Sequence, residues 1–168
     1  MQLIPIHGSA PTHGSSYSGN LPVMSPPSEA LTHDWNKYRQ NIVAVAGVDT
    51  LIRVFDTRNP RQPVSIMAGH EYAVRRIAYS PHHTDVLLSA SYDMSIRVWG
   101  DGTFDADMGI PVPGGGPASG RQMGRFDVHT EFCAGVDWCL FGNQGWVAST
   151  AWDGRLCVWD IGSVMARR

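Results

Sequence analysis

The chain has 168 residues, of which 43% are hydrophobic and 17% are charged, which is the composition of a folded protein. Its net charge of −2 argues against binding to a nucleic-acid backbone, because that backbone binds to basic surfaces. No apolar stretch approaches the roughly 20 residues that cross a bilayer. The opening residues MQLIPIHG also lack the basic segment of a secretory signal. We therefore expect neither nucleic acid as a partner nor direct insertion into a membrane.

The first 30 residues are rich in Ser, Gly, Pro and His and have no sustained strand or helix period. Such a composition buries too little apolar surface to fold alone. We expect residues 1–30 to be disordered or foreign to the fold.

Residues 31–69 contain four segments typical of short strands. They are LTHDWNKY at 31–38, IVAVAG at 42–47, LIRVFD at 51–56 and QPVSIMAG at 62–69. Turn residues separate them, among them Asp49, and Pro63 suits the start of an outer strand because proline cannot donate to a ladder. This part of the chain therefore predicts one four-stranded sheet.

An aspartate stands six residues before an aromatic residue at three places: Asp49 before Phe55, Asp93 before Trp99 and Asp153 before Trp159. The first two aspartates are 44 residues apart and the last two are 60 apart. A spacing of about 40–45 residues with this signature is the period of WD repeats. The longer spacing is one period plus an insertion, which we place at the Gly- and Pro-rich residues 100–120 and expect to be a flexible surface loop.

Two of the three copies carry a His and a Ser as well, and so resemble the WD-repeat family closely. The resemblance implies two hydrogen-bonded structural tetrads, formed by His70, Ser89, Asp93 and Trp99 and by His129, Ser149, Asp153 and Trp159. The first copy has Val45 in place of the Ser and no matching His. A catalytic His/Ser/Asp set is the alternative, but such a set would not recur along the chain, so no catalytic residue and no enzyme activity are expected.

The predicted fold is all-β: a WD-repeat β-propeller with about three blades, at residues 31–67, 68–128 and 129–168. Propellers close with about 4–8 blades, so three blades form an incomplete ring, and we expect one of seven blades. Either the chain is part of a longer propeller, or several copies assemble to complete the ring.

Particular words beyond the repeat resemble the peroxin-7 family, the cytosolic receptors for the type-2 peroxisomal targeting signal. These words are HDWNKY at 33–38, FDTRNPRQPV at 55–64, GHEYAVRRIAYSPH at 69–82, SYDMSIRVW at 91–99 and HTEFCAGVDW at 129–138. The match is to the C-terminal part of that family. The resemblance implies a receptor that shuttles from the cytoplasm to the peroxisome and carries matrix proteins with the type-2 signal. It also implies an import co-receptor, a docking complex and no cofactor.

Such a receptor binds a short helical signal with basic and apolar residues. Acidic side chains beside aromatic ones suit a helix of that kind, because the acids pair with its Arg residues and the rings cover its apolar stripe. Loops at one end of the propeller would carry the signal-binding residues Glu71, Tyr72, Arg75, Tyr92, Glu131, Phe132 and Trp152.

Three alternatives to this function stay open: a ubiquitin-ligase scaffold, a fragment without function and a metal site. Asp56-Thr57-Arg58 partly matches a tail through which some WD-repeat proteins dock on a cullin-type ubiquitin ligase. The second alternative is a truncated fragment with no function of its own. His82, His83 and Asp85 lack the spacing of a metal site and favour a solvated turn. Finally, Cys133, Cys139 and Cys157 lie in predicted strands, where we expect small buried hydrophobic side chains and no metal.

Overall fold

The computed structural model of the chain describes residues 28–103 and 117–165. The predictions for residues 1–27 and for the centre of the insertion lie outside these ranges. Within the described residues, twelve strands form three sheets. The strands are β1 (Ala30–Trp35), β2 (Ile42–Gly47), β3 (Ile52–Asp56), β4 (Ser65–Met67), β5 (Val74–Tyr79), β6 (Val86–Ser91), β7 (Ile96–Gly100), β8 (Ala118–Ser119), β9 (Arg121–Phe126), β10 (Cys133–Trp138), β11 (Trp146–Ala151) and β12 (Leu156–Asp160).

Each blade is an antiparallel meander, and β8, which lies between β7 and β9 in the sequence, is added in parallel to the edge of the first blade. The first blade has the order β1-β2-β3-β4, the second β5-β6-β7-β9 and the third β10-β11-β12. We call the first strand of each blade (β1, β5 and β10) the inner strand. Each inner strand carries a β-bulge near its start, before Thr32, Arg76 and Gly135. The predicted all-β fold with three blades of a WD-repeat propeller is confirmed.

Side chains alternate between the two faces of each blade, and both faces are apolar where blades stack. In β7, Ile96 and Val98 point to one face, and Arg97 and Trp99 to the other. We call the face with Trp99 and its equivalents in the other blades the tetrad face, and the opposite one the reverse face.

The reverse face of one blade packs on the tetrad face of the next. Ile52 and Val54 of the first blade lie in one buried cluster with Ile77 and Trp99 of the second. Between the second and third blades the same arrangement recurs, with Ile96, Val98, Val136, Trp138 and Trp159 in a second buried cluster. Hydrogen bonds join the blades too: Asp34 accepts from the backbone N–H of Tyr79 at 2.7 Å, and the Trp138 indole donates to the Ala78 carbonyl at 2.9 Å.

The insertion is packed at both ends, so the prediction of a flexible surface loop throughout residues 100–120 is wrong there. Asp101 is buried and accepts hydrogen bonds from Thr103 and from the Tyr79 hydroxyl. On the far side, β8 pairs in parallel with β4 and covers the outer edge of the first blade. A Cβ at Gly120 would collide with Met67 Cγ and lie 2.8 Å from the Gly100 carbonyl oxygen, which leaves room only for glycine. The sequence pattern missed β8 because two residues are too short for an alternation to register.

After β12 the chain turns away from the third blade. Asp160 caps a short 3-10 turn, Ile161–Ser163, and Met165 then forms a bridge with Gly124 on the outer strand of the second blade. Met165 also packs against the second buried cluster. In the described residues, the third blade therefore has three strands.

The cysteine prediction is right for one residue and wrong for another. Cys133 is buried in β10, and burial raises the pKa of its thiol to about 12. Cys139 instead lies just beyond β10 and is exposed. It follows Trp138, the last residue of that strand.

Within residues 28–103 and 117–165, no helix is long and apolar enough to cross a bilayer.

Candidate functional site

Four side chains of the second blade form a continuous hydrogen-bonded chain. The Trp99 indole N–H donates to Ser89 Oγ at 2.7 Å, and Ser89 Oγ lies 2.6 Å from His70 Nε2. His70 Nδ1 is in turn 2.7 Å from Asp93 Oδ2. The chain joins three distant segments of the blade, since His70 precedes the inner strand, Ser89 lies in β6 and Trp99 in β7.

The third blade repeats this arrangement at slightly longer distances. The Trp159 indole donates to Ser149 Oγ at 3.1 Å, Ser149 Oγ is 3.0 Å from His129 Nε2, and His129 Nδ1 is 3.0 Å from Asp153 Oδ2. Both histidine rings are buried and fully engaged, which leaves no ring nitrogen for a substrate. The geometry is that of a structural connection.

The first blade has a substitute for the missing tetrad. Asp49 pairs with Arg53 at 2.7 Å, four residues on, and Val45 stands opposite Arg53 in the ladder. The residue after the turn aspartate is left-handed in all three blades: Thr50 (φ 67°), Met94 (φ 64°) and Gly154 (φ 75°). The turn is thus retained even where the His and Ser are absent.

The surroundings of the tetrad in the second blade favour a neutral His70 imidazole beside an ionised Asp93 carboxylate. Burial lowers the pKa of His70, against the opposing effect of Asp93. Burial alone would raise the pKa of Asp93, but hydrogen bonds from His70 and Ser95 outweigh it and hold that pKa well below its usual value. Arg97 adds a contact to the same carboxylate at 3.2 Å.

The tetrads also fix the loops at one end of the blades. The Asp93 carboxylate accepts from the backbone N–H of Glu71 at 3.2 Å, and Ser91 Oγ donates to the Tyr72 carbonyl at 2.9 Å. In the third blade, Asp153 accepts from the N–H of Thr130 at 3.1 Å. The loop before the inner strand and the loop between the second and third strands are therefore held side by side in each blade.

Three of the predicted signal-binding residues form one aromatic cluster across two blades. The ring centroid of Tyr92 in the second blade lies 5.0 Å from that of Phe132 and 6.1 Å from that of Trp152. The ring centroids of Phe132 and Trp152 are 5.3 Å apart. The backbone N–H of Trp152 also donates to the Phe132 carbonyl at 3.0 Å. Trp152 is largely exposed, so the cluster presents an apolar surface to solvent.

The remaining predicted residues lie outside the ring cluster: three of them are on the same loops, and Arg75 is at the start of β5. Glu71, Tyr72 and Glu131 are exposed. Arg75 is exposed as well, at the β-bulge between Val74 and Arg76. The loops and the start of β5 therefore combine two acids, one base and exposed rings at one end of the second and third blades.

Two charged residues near Glu71 were missed by the sequence analysis. Arg125 and Asp127 form an exposed ion pair, and this hydrogen bond raises the pKa of Arg125, with Glu71 contributing by its charge. Arg125 lies in β9 and Asp127 directly after it, where the pattern predicted only an outer strand. Two residues of opposite charge at the end of a predicted strand were the available signal.

The alternative sites acquire local partners. His82 Nε2 lies 3.0 Å from the Cys139 carbonyl oxygen, joining two loops at the opposite end of the blades. Arg58 Nε donates to both Asp56 carboxylate oxygens at 3.0 Å. Among the residues that the structure describes, no group of three or more His, Cys, Asp or Glu side chains could hold a metal ion.

A family model described as "WD domain, G-beta repeat" matches residues 61–100 and 120–160, which include both tetrads. The chain therefore contains WD40 repeats, and its three stacked blades with two hydrogen-bonded tetrads have the architecture of a partial β-propeller.

Among WD40 proteins, the chain is similar to receptors of peroxisomal import. It is 40% identical to the "Peroxisomal targeting signal 2 receptor" of Saccharomyces cerevisiae, over 79% of this chain and 40% of that protein. The protein of the same name from Komagataella phaffii is 41% identical, over 79% of this chain and 38% of its own length. "Peroxisome biogenesis protein 7" of Arabidopsis thaliana is 39% identical over 61% and 27%. The resemblance stated from the sequence is confirmed, and the chain spans about two fifths of the length of the yeast relatives.

Proposed function

We propose that this chain recognises the type-2 peroxisomal targeting signal as part of an import receptor, and that it does so without catalysis. The observation that carries the proposal is the similarity to proteins named as receptors for this signal over four fifths of the chain. Neither the ubiquitin-ligase scaffold nor the fragment without function draws support from those names. Matrix proteins with the signal would be its cargo; a co-receptor, a docking complex and shuttling between cytoplasm and peroxisome belong to the same proposal.

The loops of the second and third blades supply a surface suited to this ligand. The rings of Tyr92, Phe132 and Trp152 would cover the apolar stripe of a signal helix. Glu71 and Glu131 flank the rings on the loops before the two inner strands and would pair with basic residues of the helix. Tyr72 and Arg75 would line the same surface.

Fluorescence anisotropy with a labelled type-2 signal peptide tests the proposal. We expect the double variant Glu71→Arg, Glu131→Arg to bind the peptide at least tenfold more weakly than the unmodified chain, because two attractive charges become repulsive. The matched control is Asp85→Arg, a charge reversal at the opposite end of the second blade, which should bind as the unmodified chain does. Equal affinity in all three proteins would refute the site, and no saturable binding by the unmodified chain would refute the function.

A further inference from the structure

The first blade carries a basic surface at the end of the blades opposite the candidate signal site. In an antiparallel blade, the loop from β1 to β2 and the loop from β3 to β4 lie at the same end, and here they span residues 36–41 and 57–64. These two loops contain no acidic residue and four basic ones: Lys37, Arg39, Arg58 and Arg61. At the same end of the other two blades, the loops at residues 80–85 and 139–145 contain no lysine or arginine. The positive charge therefore belongs to this blade and not to the repeat.

A pocket of about 460 Å³ is lined by residues of both basic loops. Its volume lies in the range of about 300–1,000 Å³ that is typical of ligand sites. Ile42 and Val64, next to the loops, give it an apolar part. Its polar lining consists of Arg39, Gln40, Asn41, Asp56, Arg58 and Thr103.

The second blade holds Arg39 at the wall of this pocket. Arg39 Nη1 donates to Thr103 Oγ1 at 2.7 Å, and the Thr103 hydroxyl in turn donates to the Asp101 carboxylate at 2.6 Å. Asp101 is fully buried and also accepts from the Tyr79 hydroxyl at 3.0 Å. The guanidinium is therefore in position before a ligand arrives, which reduces the entropy lost on binding.

Arg58 and Asp56 form the exposed side of the pocket. Arg58 Nε lies 3.0 Å from both Asp56 carboxylate oxygens, yet the Arg58 side chain is 72% exposed. The hydrogen bond from Arg58 lowers the pKa of Asp56, so this carboxylate is ionised at neutral pH. Two guanidinium groups and one carboxylate thus line the pocket, which makes it suited to an anion.

Hydrogen bonds fix the two loops to each other and to the second blade. The buried Asn36 side chain accepts from the backbone N–H of Arg39 at 3.0 Å and donates to the Thr84 carbonyl at 2.7 Å. The backbone N–H of Thr57 donates to the Asn41 carbonyl at 2.9 Å and so joins one loop to the other. The shape of the pocket is therefore set by the fold.

We propose that this pocket binds an acidic segment of a protein partner, at the end of the blades opposite the signal-binding loops. A carboxylate of the segment pairs with Arg39 and Arg58, because guanidinium groups match carboxylates in charge and geometry. The side-chain amides of Gln40 and Asn41 hydrogen-bond to its backbone, and Val64 contacts an apolar side chain beside the acid. The site lies apart from the signal surface, so one chain can hold cargo and this partner together.

The shape and charge of the site favour a peptide over other anionic partners. A membrane surface would contact the loop tips and leave a concave pocket empty, whereas a side chain of a peptide fills it. Nucleic acid is disfavoured by the net charge of −2 of the chain.

Fluorescence anisotropy with a labelled octapeptide, in which glutamate alternates with leucine, tests the proposal. The matched probe has glutamine in place of every glutamate. The unmodified chain should bind the glutamate peptide saturably and at least tenfold more tightly than the glutamine peptide, and added salt should weaken this binding.

Arg58→Glu should weaken binding of the glutamate peptide at least tenfold, because it reverses the charge of an exposed side chain in the pocket. Arg39→Gln should weaken it too, and circular dichroism checks that both variants are folded. If Arg39→Gln loses stability together with its contact to Thr103, Arg58→Glu still decides the question. Arg155→Glu, at an exposed arginine of the third blade, is the matched control and should bind as the unmodified chain does.

Several results would overturn the proposal. These are no saturable binding, equal binding of the two peptides, or an equal loss of affinity in Arg58→Glu and Arg155→Glu. Vesicles of phosphatidylcholine and phosphatidylserine provide a further arm: binding to them that Arg58→Glu abolishes, without binding of the glutamate peptide, would assign the pocket to a membrane instead. Arg58→Glu should also bind the type-2 signal peptide as the unmodified chain does, and a loss of both ligands in this variant would refute two separate sites.

Discussion

The carboxylate of Asp93 lies 2.7 Å from His70 Nδ1 and also accepts a hydrogen bond from the backbone N–H of Glu71. One side chain thus joins the interior of the second blade to the loop that carries a candidate signal-binding residue. Framework and site are not separate in this protein, because the tetrad that stabilises the blade also sets the position of its loops.

Replacing Asp93 by alanine should destabilise the chain more than replacing Asp153. Asp93 has contacts with His70, Ser95 and Arg97, and its loss leaves Arg97 buried without its carboxylate, which costs about 3–5 kcal/mol. Asp153 has no arginine at the equivalent position, where Cys157 stands. Urea denaturation of both variants measures the difference, and a larger loss for Asp153→Ala would contradict this ranking.

Stability should fall as the pH is lowered from 7 to 5. Burial lowers the pKa of His70 in the folded chain from its usual value of about 6.5, so the unfolded chain takes up this proton at a higher pH than the folded one. Protonation therefore favours unfolding throughout this interval. Thermal unfolding followed at several pH values should show a decline that is shallower in His70→Asn. The same slope in both proteins would mean that His70 is not its source.

Below pH 5, protonation of the Asp93 carboxylate should lower the stability of the chain as well. The pKa of Asp93 is lowered in the folded chain, so the stability that Asp93 provides is present above its usual pKa of about 3.9 and is lost as the pH falls below that value. Asp93→Asn should therefore unfold at a lower temperature than the unmodified chain at pH 6, with the gap narrowing towards pH 3. A constant gap would contradict this assignment.

Gly120→Ala should destabilise the second and first blades together. The added Cβ would collide with Met67 Cγ and lie 2.8 Å from the Gly100 carbonyl oxygen, and overpacking of this kind costs about 1–3 kcal/mol. Ser119→Ala, one residue earlier at an exposed position, is the control and should have little effect. Urea denaturation compares the two, and equal stability would mean that β8 is not held tightly against β4.

Trp152→Ala should weaken peptide binding and leave the melting temperature almost unchanged. Its ring is largely exposed and contacts Tyr92 and Phe132, so its loss removes apolar surface from the candidate site without opening the buried clusters. Tyr38→Ala removes an exposed ring at the other end of the blades and serves as the control. A drop in affinity of the same size in both variants would indicate a general effect.

The repeat signature was enough to predict the blades, because the Asp-to-aromatic step reports a turn whose hydrogen bonds are local. It could not predict that Tyr92 reaches Phe132 and Trp152, since contacts between blades depend on how the sheets stack and not on spacing within one repeat. The sequence pattern could not predict β8 either, because this strand has only two residues. Its position depends on the glycine that follows it and on the open edge of β4. Arg125 comes within electrostatic range of Glu71 only through the fold.

Hydrogen exchange followed by mass spectrometry, with and without a saturating type-2 signal peptide, tests the central claim most directly. That claim is that the WD40 framework positions the loops around Glu71, Tyr92, Phe132 and Trp152 as the recognition surface. Slower exchange on peptide addition is expected at residues 70–73, 92–95, 130–132 and 152–154, with no change at residues 36–41 and 80–85 at the opposite end. Protection at that opposite end, or no protection anywhere at saturation, would contradict it.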